Sequence, residues 1–358
     1  MPHTAIATRL LTESPRACSG TIIRSKAPLR LTFAGGGTDL PHYYEVHGGA
    51  VLSSTINHYA YVTVFPRQDN DVRIRSLDLG QLVQYSLERS PSYDGVLDLA
   101  KAAIQRMGVK HGIEMDIRIE APPGSGLGGS SALTAAVLGA LSATNGHALG
   151  SYDLAEMNYV IEREDLKIAG GKQDQYATTF GGFNLIEFRP SRVVVTPLRI
   201  DLAVLNDLEA HLLLCYTGQV RPRLGLIDQQ VKLYQEGRKE TIEGMRRLHE
   251  MVVEMKESLL TGQLNHFGEL LHESYLNKRR MNPHITEGTR TDDLYETALR
   301  CGAVGGKLCG AGGGGYLLVY CETARQQEVI RALEALGGRF SNFSFEGMGL
   351  QVWRSKSK

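Results

Sequence analysis

Cysteine is scarce in this chain: five in 358 residues, an odd number without metal-ligand spacing. That excludes a disulfide framework and a cysteine-based zinc site. Cys18, Cys215, Cys301, Cys309 and Cys321 stand mostly in apolar or glycine-rich surroundings and read as reduced, mostly buried thiols. Net charge is also missing, because thirty-nine basic residues balance thirty-nine acidic ones. No global field draws the chain to nucleic acid or to an anionic membrane, so any anion site is local. The longest apolar stretch, Ala132 to Ala143, is about half a membrane span and is interrupted by Thr134 and Ser142. The first twenty residues hold no continuous apolar segment of the signal-peptide kind. These absences predict a soluble cytoplasmic protein with a flexible leader over residues 1–20, and they leave monomer and homodimer both open. The eleven histidines lack spacings such as H-E-x-x-H, which argues against a transition-metal site, and the single Trp353 reads as a packing residue.

Apolar residues and glycine are plentiful. With 42% hydrophobic residues the chain can bury a large core, and its length predicts two domains, divided near residue 202 into 21–202 and 203–358. Thr21 to Phe33 is extended in character and breaks at Ala34-Gly35-Gly36-Gly37-Thr38-Asp39. Tyr59 to Phe65, Val72 to Leu77 and Leu82 to Leu87 alternate apolar with polar residues and predict an antiparallel meander. Val96 to Met107 has helical spacing, Glu114 to Ala121 alternates again, and Ser130 to Ala143 and Tyr152 to Leu166 read as helices. A strand over His211 to Tyr216, helices over Leu224 to Arg280, and a closing strand-helix-strand pattern make the second half α+β.

Two glycine-rich segments carry the chemistry. Pro123-Gly124-Ser125-Gly126-Leu127-Gly128-Gly129-Ser130-Ser131 lies between a strand and a helix. Its glycines remove the Cβ atoms that hold a polyanion off the backbone, and the helix start offers free N–H groups to a phosphate. The two serines are placed to cap that helix or to meet magnesium or a phosphate oxygen. Gly124, Gly126 and Gly129 match a dinucleotide fingerprint, but no acidic residue stands about twenty positions on, and no G-K-[ST] makes the loop a Walker motif. The second segment, Gly305 to Tyr316, is glycine at seven of twelve positions and leads into a strand. Such density implies close backbone approach in a cleft.

Together with Lys26 to Pro41, which contains Arg30 and Gly35-Gly36-Gly37-Thr38-Asp39, these segments resemble the three motifs of the GHMP kinases in order and spacing. The resemblance runs from Arg24 to Trp353. It implies an α+β two-lobe fold, with an N-terminal lobe like ribosomal protein S5 domain 2 and a ferredoxin-like C-terminal lobe, and ATP and Mg2+ between them. The triple glycine before Thr38-Asp39, with Gly171-Lys172-Gln173-Asp174, is similar to the D-glycero-D-manno-heptose 7-phosphate kinases and related fucokinase domains. The activity so implied is phosphorylation of the anomeric hydroxyl of a sugar phosphate, in the supply of GDP-heptose for a surface polysaccharide. The alternatives are a 1-kinase for an unphosphorylated fucose- or galactose-type sugar, another GHMP kinase acting on an alcohol such as mevalonate, or a non-catalytic sugar sensor.

By the same resemblance Asp174 is the catalytic carboxylate, Arg30 its cationic partner and Lys172 an assistant or phosphate ligand. Pro123 to Ser131 hold the nucleotide, and Ser131 and Glu162 the metal, with Glu164 a rival. Gly36, Gly37, Thr38, Asp39, Gln173, Gly312 and Gly313 face the acceptor. Arg221 and Arg223 are candidates for a second phosphate.

Overall fold

The structure is a computed structural model that describes residues 21–220 and 225–356. The leader expected over 1–20, Arg221 and Arg223 lie outside the described residues. Strand β1 (Thr21–Ala34) is buried without a break from Ala27 to Ala34, because it runs through the middle of a sheet covered on both faces. It is followed by a short helix α1 (Pro41–His47), the long strand β2 (Gly49–Pro66), a hairpin β3 (Asp71–Ser76) and β4 (Gln81–Ser86), helix α2 (Asp98–Arg106) and strand β5 (Ile113–Ile119). Helix α3 (Gly129–Asn145) comes next, then α4 (Ser151–Val160), a π-helical turn (Ile161–Asp165), α5 (Gln173–Phe180), and strands β6 (Asn184–Arg189) and β7 (Arg192–Pro197).

The expected meander does not form. β5 lies between β2 and β3, antiparallel to the first and parallel to the second. Alternation tells which face of a strand is buried but not which neighbour it pairs with, so the insertion had no signal. Helix α3 is buried on every side from Ser131 to Ser142, which suits its all-round apolar sequence.

The second half adds α6 (Leu202–His211), β8 (Leu212–Val220), α7 (Leu226–Gln235), α8 (Lys239–Leu260), α9 (Leu264–Met281), α10 (Thr291–Arg300), β9 (Ala303–Leu308), β10 (Gly314–Cys321), α11 (Thr323–Ala335) and β11 (Arg339–Ser341). Its four strands pair antiparallel in the order β11-β8-β10-β9, the ferredoxin-like arrangement. The division at residue 202 fails for the end of the chain. β12 (Phe345–Glu346) pairs with β2, and β13 (Gln351–Lys356) pairs with β1, so these strands belong to the first sheet. Gly139 of α3 permits this return, since a Cβ there would lie 2.9 Å from the side chains of Leu350 and Val352.

Phe33 of β1 meets Phe267 of α9 at 5.4 Å, Phe183 at 5.9 Å and Phe345 at 6.4 Å between ring centroids. Each such pair contributes about 0.5–1.5 kcal/mol beyond its buried area. The apolar core therefore continues from one sheet into the helices of the other. No helix among the described residues is long and apolar enough to cross a membrane.

Candidate active site

β5 delivers the chain into the glycine loop, and α3 leaves it. Gly126 and Gly128 have φ of 89° and 75°, the left-handed region that glycine adopts without strain. Gly128 is the N-cap of α3 and supplies no side-chain cap, so neither serine closes the helix end, and its first N–H groups face the cleft. A Cβ at Gly128 would sit 3.1 Å from Cγ of Arg30. Ser130 is exposed at the helix start, whereas Ser131 turns inward.

Arg30 ties this loop to Asp174. The residue is 3% exposed, and its guanidinium donates to both Asp174 oxygens, Nε to Oδ1 at 2.8 Å and NH2 to Oδ2 at 2.9 Å, while NH1 donates to the Gly126 carbonyl. Burial works against the arginine charge, but Asp174 outweighs it and the Arg30 pKa stands above its ordinary value. Asp174 occupies the first turn of α5.

Two cavities meet at this carboxylate. One, of about 700 Å³, is bordered by Tyr93, Leu97, Ile119, Pro123 and Leu133 and runs along the glycine loop. The other, of about 690 Å³, is lined by Arg30, Gly36, Gly37, Asp39, Gln173 and Lys278. Gly124, Ser130, Leu166, Ile168 and Asp174 border both. A group bound in one cavity can therefore be passed to a group bound in the other beside Asp174.

Asp39 forms the floor of the second cavity. It accepts the Gly37 N–H, the Gln173 N–H and the Gln173 side-chain amide, each at 3.1 Å. Burial, with the Asp174 charge adding to it, holds its pKa above the usual carboxylate range. Thr32 fixes the Gln173 amide by donating to its oxygen at 2.8 Å. Gly171 passes so close that a Cβ would lie 2.0 Å from Oδ2 of Asp39.

Helix α4 gives way to a π turn over Ile161–Asp165, shorter than the single helix predicted to Leu166, and such turns recur at functional sites. Within this turn Glu162 is 1% exposed and accepts the Ser131 hydroxyl at 2.6 Å. Burial raises the Glu162 pKa, and Arg163, 3.0 Å away, opposes the rise. The rival Glu164 is exposed, which leaves Glu162 as the acid facing the site. Ser131 and Glu162 are hard oxygen donors, and a buried carboxylate whose charge is disfavoured gains from a divalent cation. The pair fits magnesium, which commonly takes only one or two protein ligands and fills its shell with phosphate and water.

Several expected contacts are corrected. Lys172 turns its ammonium onto Glu156, 2.7 and 3.0 Å from the two oxygens, and over the Tyr159 ring at 4.4 Å. It is the N-cap of α5, one position before the helix, and from there its side chain faces α4 rather than the cleft. Thr38 is fully buried and its hydroxyl lies 2.8 and 2.9 Å from the carbonyls of Gly35 and Ala50, so it shapes the turn instead of meeting an acceptor. Gly312 and Gly313 pack on Ile285, with the Gly313 N–H donating to its carbonyl at 2.8 Å. Gly310 and Ala311 line the cavity in their place. Leu127 buries its side chain and uses its backbone inside the loop, its carbonyl accepting the Arg30 backbone N–H at 2.9 Å and its own N–H donating to the Ser125 hydroxyl at 3.5 Å.

Two buried lysines of the second half carry no role in the sequence analysis. Lys307 donates to the Thr32 carbonyl, and burial brings its pKa down to about 8. Lys278 donates to the carbonyls of Leu308 and Gly310 and borders the second cavity. Lys307 had a signal, as a lone charge inside a glycine-rich strand. Lys278 had none, being one of three consecutive cations with Arg279 and Arg280.

Residues 95–182 match the family described as GHMP kinases N terminal domain, and residues 255–338 match GHMP kinases C terminal. A D-glycero-alpha-D-manno-heptose 7-phosphate kinase from Campylobacter jejuni is 35% identical over 93% of this chain and 99% of its own. The crystal structure of a D-glycero-D-manno-heptose 1-phosphate kinase from Bacteroides thetaiotaomicron superposes with a TM-score of 0.78 at 32% identity, covering 94% of this chain and 100% of that one. A Lactococcus lactis galactokinase shares the fold at 19% identity, with a TM-score of 0.77 over 98% of this chain and 100% of its own. A glycine loop opening on a buried helix, an arginine-braced aspartate between two cavities and near full-length likeness to sugar-phosphate kinases converge, and the chain belongs to the GHMP kinase family.

Proposed function

We propose that this enzyme transfers the γ-phosphoryl group of ATP to the anomeric hydroxyl of D-glycero-D-manno-heptose 7-phosphate, giving the 1,7-bisphosphate. The observation that carries the reading is the position of Asp174, shared by the cavity along the glycine loop and the cavity floored by Asp39. ATP takes the first, with its phosphates along Gly124 to Ser130 and at the N-terminus of α3. The heptose takes the second, with two neighbouring hydroxyls donating to Asp39. The cytoplasm supplies ATP and keeps the thiols reduced.

Arg30 occupies one lone pair on each Asp174 oxygen, and each oxygen keeps another for the acceptor hydroxyl. As the hydroxyl oxygen attacks the γ-phosphorus, the bond from that phosphorus to the β,γ-bridging oxygen breaks. The hydroxyl proton passes to Asp174 and ADP leaves. Phosphoryl transfer needs mainly alignment and charge neutralisation, and the Arg30–Asp174–Gly126 linkage fixes the base against the phosphate loop. Magnesium bound by Ser131 and Glu162 would neutralise phosphate charge. Glu162→Gln is expected to raise the magnesium concentration needed for half-maximal rate by about tenfold with the fold retained, whereas Glu164→Gln leaves it unchanged. A titration in which only the second substitution matters would reassign the ligand.

The acceptor's own phosphate is a dianion entering a partly desolvated cleft, and it requires counter-charge there. Arg163, Lys167 and Lys278 line that cavity and offer it. Heptose 7-phosphate is therefore expected to exceed free heptose, galactose and fucose in kcat/KM by roughly tenfold to a hundredfold, the scale of a lost charge-assisted contact. ³¹P NMR of the product locates the new phosphate at C1. Equal kcat/KM for free and phosphorylated sugars would return the enzyme to the 1-kinases of unphosphorylated sugars.

A further inference from the structure

The cavity along the glycine loop has one wall that is neither strand nor helix. Tyr93, Gly95 and Leu97 border it from an irregular segment before α2, with Asp98 at the first position of the helix, and most of that segment is exposed to water. Two of its residues hold left-handed backbone, Gly95 at φ 87° and Leu97 at φ 55°. For leucine that conformation is unfavourable by about 1–2 kcal/mol and persists only where surrounding contacts impose it.

The contacts come from beneath. Lys101, in the first turns of α2, is 2% exposed, an unusual burial for an ammonium group. Its three donors are all engaged by the segment: the Ser92 carbonyl at 2.9 Å, Oδ1 of Asp94 at 2.6 Å and Oδ1 of Asp98 at 2.9 Å. The two carboxylates pass the constraint to the backbone. Asp98 Oδ2 accepts the Gly95 N–H at 2.7 Å, and Asp94 Oδ1 accepts the Val96 N–H at 3.1 Å. Tyr93 is anchored separately, through its hydroxyl on Gln105 at 2.9 Å. A buried ammonium is tolerated only when its hydrogen bonds are complete, so folding around Lys101 forces the segment into this one shape.

We propose that Lys101 is a positioning residue for ATP: it holds residues 92–98 as a pre-formed wall against the nucleotide's base, without touching the nucleotide itself. The proposal rests on the reading that ATP occupies the cavity along the glycine loop. A wall already in its bound shape spares the ligand the cost of ordering it, so Lys101 sets affinity for ATP and leaves the chemical step and the acceptor cavity alone. None of the hydrogen bonds by which Lys101, Asp94 and Asp98 hold the segment reaches Asp174, so the segment acts on the transferring group through ATP.

Steady-state kinetics of Lys101→Met test it, methionine preserving most of the buried stem. KM for ATP is expected to rise roughly tenfold, the scale of losing hydrogen bonds to a charged group, with kcat and acceptor KM within about twofold. Asp94→Asn, at an exposed carboxylate, guards against a Lys101 variant that fails to fold and is expected to raise KM for ATP roughly threefold. A fall in kcat or in melting temperature with unaltered KM for ATP in the folded variants overturns the proposal and makes Lys101 an ordinary structural residue. Photolabelling of the wild-type enzyme with 8-azido-ATP separates the two levels of inference. Label on the peptide containing Tyr93 keeps the nucleotide reading standing whatever the kinetics give, label on Ile119 or Leu133 across the same cavity keeps that reading but removes the wall from the base, and label outside the cavity removes both.

Discussion

Asp174→Asn is expected to lower kcat by about a hundredfold or more while leaving KM for ATP and for the acceptor within about twofold. The amide keeps the size of the carboxylate but cannot take the hydroxyl proton. It also turns one of the two acceptors facing Arg30 into a donor, so a guanidinium now braced at 2.8 and 2.9 Å keeps at best one of these bonds. Some stability is lost as well, since Arg30 is buried and its charge depends on this partner. Melting temperature and circular dichroism have to accompany the kinetics, so that a misfolded fraction is not counted as lost chemistry. A folded variant turning over at nearly the wild-type rate would make Asp174 a brace for Arg30 and nothing more.

Gly171→Ala is expected to raise acceptor KM or lower kcat, in combination, by roughly a hundredfold in kcat/KM, the scale of a displacement near 1 Å at a reacting centre. The new Cβ would fall 2.0 Å from Oδ2 of Asp39 and 2.7 Å from its backbone oxygen, distances that no contact tolerates. Either Asp39 or the segment leading into α5 has to move. Both moves break the bond from the Gln173 N–H to Asp39, and the second also shifts Asp174, the next residue on that helix. Binding of ATP, measured alone by calorimetry, should be nearly unchanged because Gly171 does not border the cavity along the glycine loop. Wild-type kcat/KM in Gly171→Ala would show that the approach to Asp39 is not needed for the acceptor.

The parts of this site that were readable in the sequence are those whose chemistry is local. Gly124 to Ser131 point to a phosphate loop from local chemistry, because removed Cβ atoms and a helix start lie within eight residues, and the other motifs select that reading over a structural turn. Arg30, Asp39, Glu162 and Asp174 were readable only through the motif pattern, since the structure draws them together from β1, the turn after it, the π turn and α5. Errors fell where adjacency in sequence was taken for adjacency in space. Lys172 neighbours Gln173 and Asp174 in the chain but faces Glu156, and Gly312 follows Gly310 by two residues yet lies against Ile285. The insertion of β5 beside β3 and the return of β13 to β1 rest on pairings that no alternation pattern encodes.

That return strand has a consequence for how the protein is made. Thr21 to Lys26 present one edge of β1, and the strand that covers it, Gln351 to Lys356, is synthesised roughly three hundred residues later. At about 5–20 residues per second the nascent chain spends tens of seconds with this edge bare, although β2 can already have joined the other side. An uncovered strand edge is a template for a second copy on the same polysome, which makes the growing chain the aggregation-prone species rather than the finished enzyme. Expression yield should accordingly follow translation speed and chaperone supply more closely than it follows the melting temperature of the purified protein.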